Sequence, residues 1–329
     1  MSVDLSELMP ILAALEARDQ LGELDDVAFP DTGPVRWLFG LTSGFHFANG
    51  ASASRRKALI GLAQDYYELT GARCNTLAYG EKVIGISSAA DIEARLSNTA
   101  ETGRFADPGQ TSSFYIRNMP AAAIRSTDPV YESFAAFLPA DGLRLNGNLT
   151  YSTRLSTERD APEAYLRFFR ACCEKLQVFY AVSGFSLLFY SYSARPRDAY
   201  PLLRRFPGLL YEDANEFGLE TEGEADVIRD ANWLTAINRE MLDQLGGQAE
   251  AEKLEGVTLH PYPGGVVLQA GRAPRIGDVN AGHIPEEYRR VSDFLKPLRY
   301  APWQAPYLAV PPSVDAMEAT RDWMERFDG

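Results

Sequence analysis

The stretch LHPYPGGVVLQAG, residues 259–271, places two prolines and two glycines between short apolar segments. Val257 and Leu259 lead in, and Val266, Leu268 and Ala270 lead out, at the spacing of two that belongs to a strand. Between them Pro261 and Pro263 remove backbone donors, and Gly264 and Gly265 tolerate positive φ, so the stretch reads as a β-hairpin. A hairpin is an antiparallel unit. Elsewhere strands and helices intermingle without the regular Gly-rich βαβ loops of a doubly wound fold, so the expected class is α+β, mostly antiparallel sheet packed with helices.

Working outward, Trp37, Phe39, Leu41, Phe45 and Phe47 fall on one face of an extended strand, with Thr42 and His46 on the other. Ser54 then stands where it can cap a helix whose Leu59, Leu62, Ala63 and Tyr66 follow helical spacing, ending at Gly71. The plan recurs further on. Leu143, Leu145, Leu149, Tyr151 and Leu155 alternate with Arg144, Asn146, Asn148, Thr150, Ser152 and Arg154 as an amphipathic strand. Pro162 suits a first helical position, ahead of a stripe of Leu166, Phe169, Cys173 and Leu176. Leu41-Thr42 stands to Ser54 as Leu149-Thr150 stands to Pro162, which suggests an internal strand-helix-strand duplication. The chain is therefore expected to be a single domain, residues 1–329, of two pseudo-repeated halves packed together. Two more helices are expected: one with Trp233, Leu234, Ile237, Met241 and Leu245, closed by Gly246-Gly247, and one with Tyr288, Val291, Phe294 and Leu295, between Pro285 and Pro297.

With 329 residues, 46% hydrophobic and 23% charged, the composition is that of an ordinary globular protein. No apolar run approaches the roughly 20 residues that span a bilayer, and MSVDLSELMP has no basic segment before an apolar core, so a cytoplasmic protein is expected. Cys74, Cys172 and Cys173 then read as free, mostly buried thiols. The formal net charge is −13, which repels nucleic acid and anionic lipid and favours a basic partner.

Sites of chemistry are sparse. His46, His260 and His283 are the only histidines and lie far apart; there is no HExxH, no CxxC, no phosphate-cradling loop and no GxSxG elbow. No catalytic residue, metal or cofactor is expected. His260 and Asp278 would make a dyad, and a hydrolase-like enzyme with acidic partners, only if the fold brought them together. The plainer expectation is that His260 sits at the hairpin mouth and that Gly277, Asp278 and Asn280 form an Asx-type turn. A structural or adaptor protein is a third class.

LHPYPGGVVLQAGRAPRIGDVNAGHIPEEYRRVSDFLKPLR, residues 259–299, resembles the type VI secretion immunity family associated with VRR-NUC nuclease effectors. NWLTAINREMLDQLGG upstream and the terminal WMERF, residues 323–327, fit the same pattern, and the resemblance is strongest from Asn232 to Arg299 and faint before Leu143. It implies a cytoplasmic antitoxin whose partner is a cognate nuclease toxin, VRR-NUC type or related, with the active cleft occupied or blocked, and without direct nucleic acid or membrane contact. Charge suggests where such a partner docks. Glu212, Asp213, Glu216, Glu220 and Glu222 open a stretch, continuing to Asp230, in which Arg229 is the only basic residue. Its acidity would suit a phosphate-binding cleft. Tyr262 at the hairpin tip and Trp303 in APWQAP are the candidate aromatic anchors.

Overall fold

The computed structural model describes residues 5–25, 28–29, 37–80, 82–97, 107–119, 129–189 and 197–328. Eleven strands form one sheet: β1 (Ala28–Phe29), β2 (Trp37–Phe47), β3 (Thr76–Tyr79), β4 (Lys82–Gly85), β5 (Ser112–Arg117), β6 (Ser133–Leu138), β7 (Gly147–Thr153), β8 (Tyr180–Leu188), β9 (Leu234–Asn238), β10 (Val257–Tyr262) and β11 (Gly265–Ala270). Their order is β10-β11-β9-β8-β2-β7-β6-β5-β3-β4, with β1 beside the start of β2. All these pairings are antiparallel. The class is α+β, as the hairpin and the absence of βαβ loops lead one to expect.

The helices are α1 (Leu5–Arg18), α2 (Ala53–Leu69), α3 (Ala89–Leu96), α4 (Leu155–Asp160), α5 (Pro162–Leu176), α6 (Tyr200–Arg205), α7 (Ala214–Glu220), α8 (Arg239–Gln244), α9 (Gln248–Ala251), α10 (Glu286–Leu295) and α11 (Ala316–Met324). Every residue of β2 is buried, because both of its faces are covered. On one face Phe45 meets Phe169 of α5 at a ring separation of 4.9 Å, and Tyr151 of β7 lies against Tyr66 of α2 and Phe168 of α5. Each such aromatic contributes roughly 1.5 to 3 kcal/mol by leaving water. On the other face His46 stacks on Tyr180 and meets Phe217 of α7 edge-on. The central strands thus lie between a helical layer and a cover formed by α7 and the chain's last third.

Three expected elements differ. The long strand through residues 143–155 shrinks to β7, because the Asp25 carboxylate accepts from the Leu155 and Ser156 amides at 2.8 and 3.0 Å and starts α4 there. The expected helix around Trp233 begins as β9, fully buried from Leu234 to Ile237 between β8 and β11. An apolar run buried on both faces carries no periodicity that separates strand from helix. Asn238 then accepts from the Met241 amide at 2.8 Å and caps α8. Finally, α2 starts one residue before Ser54, with Ser52 preceding it.

The hairpin is β10–β11 with Pro261 inside the edge strand, opposite Val266. Neither Gly264 nor Gly265 takes the positive φ expected of it. Space is what requires glycine at 265: a Cβ there would lie 2.1 Å from the Ile237 carbonyl oxygen and 2.9 Å from Asn238 Cα on β9.

Candidate functional site

Hairpin and GDVN turn place His260 and Asp278 in separate hydrogen-bond systems. His260 Nε2 lies 2.7 Å from Gln269 Oε1 across the hairpin, and the Gln269 amide nitrogen donates to the Arg272 carbonyl at 3.2 Å. Asp278 instead accepts two bonds from Arg205, at 2.9 and 2.8 Å, and a third from the Asn280 amide at 3.0 Å. The Arg205 guanidinium holds its carboxyl below the usual carboxylate range. Gly277, at φ +68°, carries the chain into this turn where a Cβ would meet Pro285 Cδ at 2.8 Å and the His283 carbonyl at 2.9 Å. Just before it, buried Glu16 of α1 accepts from Arg275 Nε and from the Ile276 and Gly277 amides at 2.8 to 3.2 Å. The motif is a joint that seats α1 and α10, and the dyad is not assembled.

Asp278→Asn should cost about 1 to 2 kcal/mol near neutral pH through the weakened turn and ion pair. Because the folded carboxyl titrates below its unfolded value, that contribution is present above about pH 4 and fades as pH falls further. Denaturant melts of the variant and the wild type at both pH values measure it; a gap that persists at low pH would show that the carboxylate charge is not its source. His260→Ala should leave that pH dependence unchanged, because His260 bonds to Gln269 across the hairpin and not to Asp278.

The acidic stretch divides into an inner and an outer part. Glu212 and Asp213 are buried, so they do not present a charged face to a partner as expected from the sequence. Arg229, fully buried, donates from Nη1 to Glu212 at 2.7 Å and to the Tyr307 hydroxyl at 2.5 Å, and from Nε to Asp230 at 2.7 Å. Arg326 and Tyr180 donate to the same Asp230 carboxylate at 2.7 and 3.0 Å. Glu212 lies directly over β2, where a Cβ on Gly44 would come within 2.5 Å of its Oε1. Burial pushes the Glu212 carboxyl up to about 7, although Arg229 pulls the other way. Burial would raise Asp230 too, but Arg229 and Arg326 together keep it below the ordinary value. His46 is held neutral by burial and by the charge of Arg229, its pKa lowered to about 3. These ions bind the cover to the central strands. In the sequence they are indistinguishable from a solvated charge run, since only their partners from β2, β8 and the C-terminal segment mark them as internal.

The outer part surrounds α7 and the turn after it. Glu216 and Glu220 are half-buried, whereas Glu222, Glu224 and Asp226 are exposed. The Glu220 side chain also accepts from the Gln304 amide. Glu222 and Gly223 turn the chain at φ +46° and +86°, with Gly223 against the Arg144 backbone and Asn146 donating to the Glu224 carbonyl. Leu219 is 58% exposed and Leu143, on the neighbouring segment, 50%. They are two of the four large apolar side chains exposed among the described residues.

Neither candidate anchor is at the surface. Trp303 is buried against Phe217, Tyr300 and Tyr307, and Tyr262 folds back over Gly264 and Gly265. A proline-rich segment and a hairpin tip look solvent-facing in sequence, but Trp303 is covered by neighbouring aromatic rings, and Tyr262 is buried near Cys173 of α5. Cys74, Cys172 and Cys173 are free and buried. Among the described residues, no group of three or more His, Cys, Asp or Glu side chains is placed to hold a metal ion, and no helix is long and apolar enough to cross a membrane.

The family TsiV, described as type VI immunity for VRR-NUC, matches residues 149–327, from β7 through the cover to the end of the C-terminal segment. Among solved structures, a Pseudomonas aeruginosa T6SS protein, PA0821, is similar in fold, with a TM-score of 0.73 at 19% identity over 91% of this chain and 84% of that one. No curated protein matches the chain.

Proposed function

The chain belongs to the TsiV family of type VI immunity proteins for VRR-NUC, and from that premise we propose that it binds a cognate VRR-NUC effector through the acidic turn at residues 219–226 and blocks its active cleft. The observation that carries the choice of surface is the company of exposed Glu222, Glu224 and Asp226 with exposed Leu219 and Leu143, while no basic residue occurs from 214 to 228. Glu216 and Glu220 extend the same patch. A cleft that holds phosphate is positively charged, so carboxylates substitute for its ligand and speed encounter. Two exposed leucines supply the contact that is dehydrated on docking. Inhibition of this kind needs no turnover by the chain, and it acts in the cytoplasm, where a nuclease meets its substrate. The continuous sheet supports one binding unit over residues 1–329. The neighbouring β2–α2 and β7–α5 units, with β2 paired to β7 and α2 packed on α5, support an origin from two pseudo-repeated halves.

Association kinetics with a catalytically inactive effector provide the test. Reversing Glu222, Glu224 and Asp226 to Lys should slow association by about an order of magnitude or more at low salt. Wild type and variant should converge near 1 M salt, where the Debye length is about 3 Å. Stability should change by no more than about 0.5 kcal/mol. Equal association rates at low salt would move the contact surface away from this turn.

A further inference from the structure

Where the 270–275 loop passes α4, a cavity of about 450 Å³ opens, in the range of small-molecule sites. Its apolar wall is Leu41, Leu155 and Phe185, and Glu158 lines it with 8% of its surface exposed. Among the described residues no hydrogen bond or ion pair engages the Glu158 carboxylate. A buried carboxylate normally finds a bonded donor or a paired cation, so one that faces a cavity under no more than the unbonded charge of exposed Arg272 is an incomplete pair. Asp19 and Glu287 line the same cavity, and the basic residues there are mostly committed elsewhere: Arg159 to Asp160 and Arg275 to Glu16, each at 2.8 Å. Arg272 remains, exposed on the loop.

We propose that this cavity binds an alkylguanidinium or alkylammonium group, with Glu158 as counter-ion and Leu41, Leu155 and Phe185 around the alkyl stem. The chemistry matches both halves of the site: an apolar body enters the wall region and a cationic tip supplies the donors that Glu158 lacks. Burial first, and then the Asp19 charge, push the Glu158 carboxyl up to about 7 against the opposing pull of Arg272, so cation binding would displace a proton from it. The site uses none of the residues of the acidic turn. It would take its cation from a Lys or Arg side chain of the effector or from a free amine or guanidine, and the two sources share one recognition chemistry.

Titration of the full chain with n-butylguanidinium and n-butylammonium, followed by amide NMR shifts, tests it against n-butylurea as the neutral control. Saturable shifts at Gly22 and Gly271 are expected for the cations, with Kd on the order of 1 mM, and little response to the urea. Glu158→Gln should weaken cation binding at least about tenfold, and Asp19→Asn, at the exposed rim, about two- to threefold. Arg272→Ala should tighten it by removing a competing cation. No saturable binding, equal binding of urea and guanidinium, or wild-type affinity in Glu158→Gln would each overturn the site. Given cation binding, a tenfold weaker effector complex in Glu158→Gln that n-butylguanidinium also competes away assigns the cation to the effector. An unchanged complex assigns it to a free ligand. Cation binding by a chain that binds no effector would keep this site while removing the antitoxin reading.

Discussion

Arg229→Met is expected to destabilise the chain by about 3 to 5 kcal/mol, the cost of removing one member of a buried ion network. The guanidinium contacts Glu212, Asp230 and Tyr307 and lies over the rings of Tyr307 and Trp323 at 5.1 and 5.6 Å. Methionine keeps much of the volume and none of the five donors. Asp230 would retain Arg326 and Tyr180. Glu212 would be left over Gly44 with no cation beside it and would take up a proton, so the loss falls mainly on that carboxylate. Adding Glu212→Leu to Arg229→Met should therefore restore part of the stability, because an apolar pair leaves nothing unsatisfied. Urea melts of the two single variants and the double variant form the cycle. A loss below about 1 kcal/mol for Arg229→Met alone would show that the network contributes little to holding the cover on the sheet.

Gly265→Val should be the most damaging change in the hairpin, at more than about 3 kcal/mol, because the new Cβ meets β9 backbone rather than a movable side chain. The Ile237 carbonyl oxygen at 2.1 Å and Asn238 Cα at 2.9 Å are both in the strand to which β11 is hydrogen-bonded. Relief would require separating β11 from β9, which also disturbs the cap that Asn238 gives α8. Gly264 provides the internal comparison: its nearest neighbour is the Tyr262 ring at 3.2 Å, which can shift, so Gly264→Ala should cost about 1 kcal/mol or less. Thermal melts of both variants decide the point. Similar melting temperatures for Gly264→Ala and Gly265→Val would mean that the close approach to β9 is not what demands glycine at 265.

The elements that could be read in advance are those whose large apolar residues keep one period, as in β2, where Phe39, Leu41, Phe45 and Phe47 share a face although both faces are covered. In α5, Pro162 at the first position and Phe169, Cys173 and Leu176 on the buried side are all as the spacing indicates, and α10 lies between Pro285 and Pro297 as expected. The hairpin registers Leu259 on Leu268 and Val257 on Ala270, as its period of two requires. β9 was illegible as a strand because Trp233, Leu234, Ile237 and Met241 also fit helical spacing, and burial on both faces left no alternation to oppose it. The end of β7 was illegible because a carboxylate 130 residues away starts the next helix.

Local chemistry along the chain therefore determined the class, the hairpin, the Asx turn at Asp278 and, through residues 259–299, the family. Only the tertiary structure decided which charges and aromatics belong to the surface. Glu212, Asp213 and Asp230 differ from Glu222, Glu224 and Asp226 in nothing that composition records. Glu212 and Asp230 lie against Arg229, Arg326 and the glycine-bared face of β2, and buried Asp213 caps α7, whereas the second group faces water. Burial of a charge depends on partners that arrive from distant segments, and an isolated stretch of sequence does not carry its partners with it.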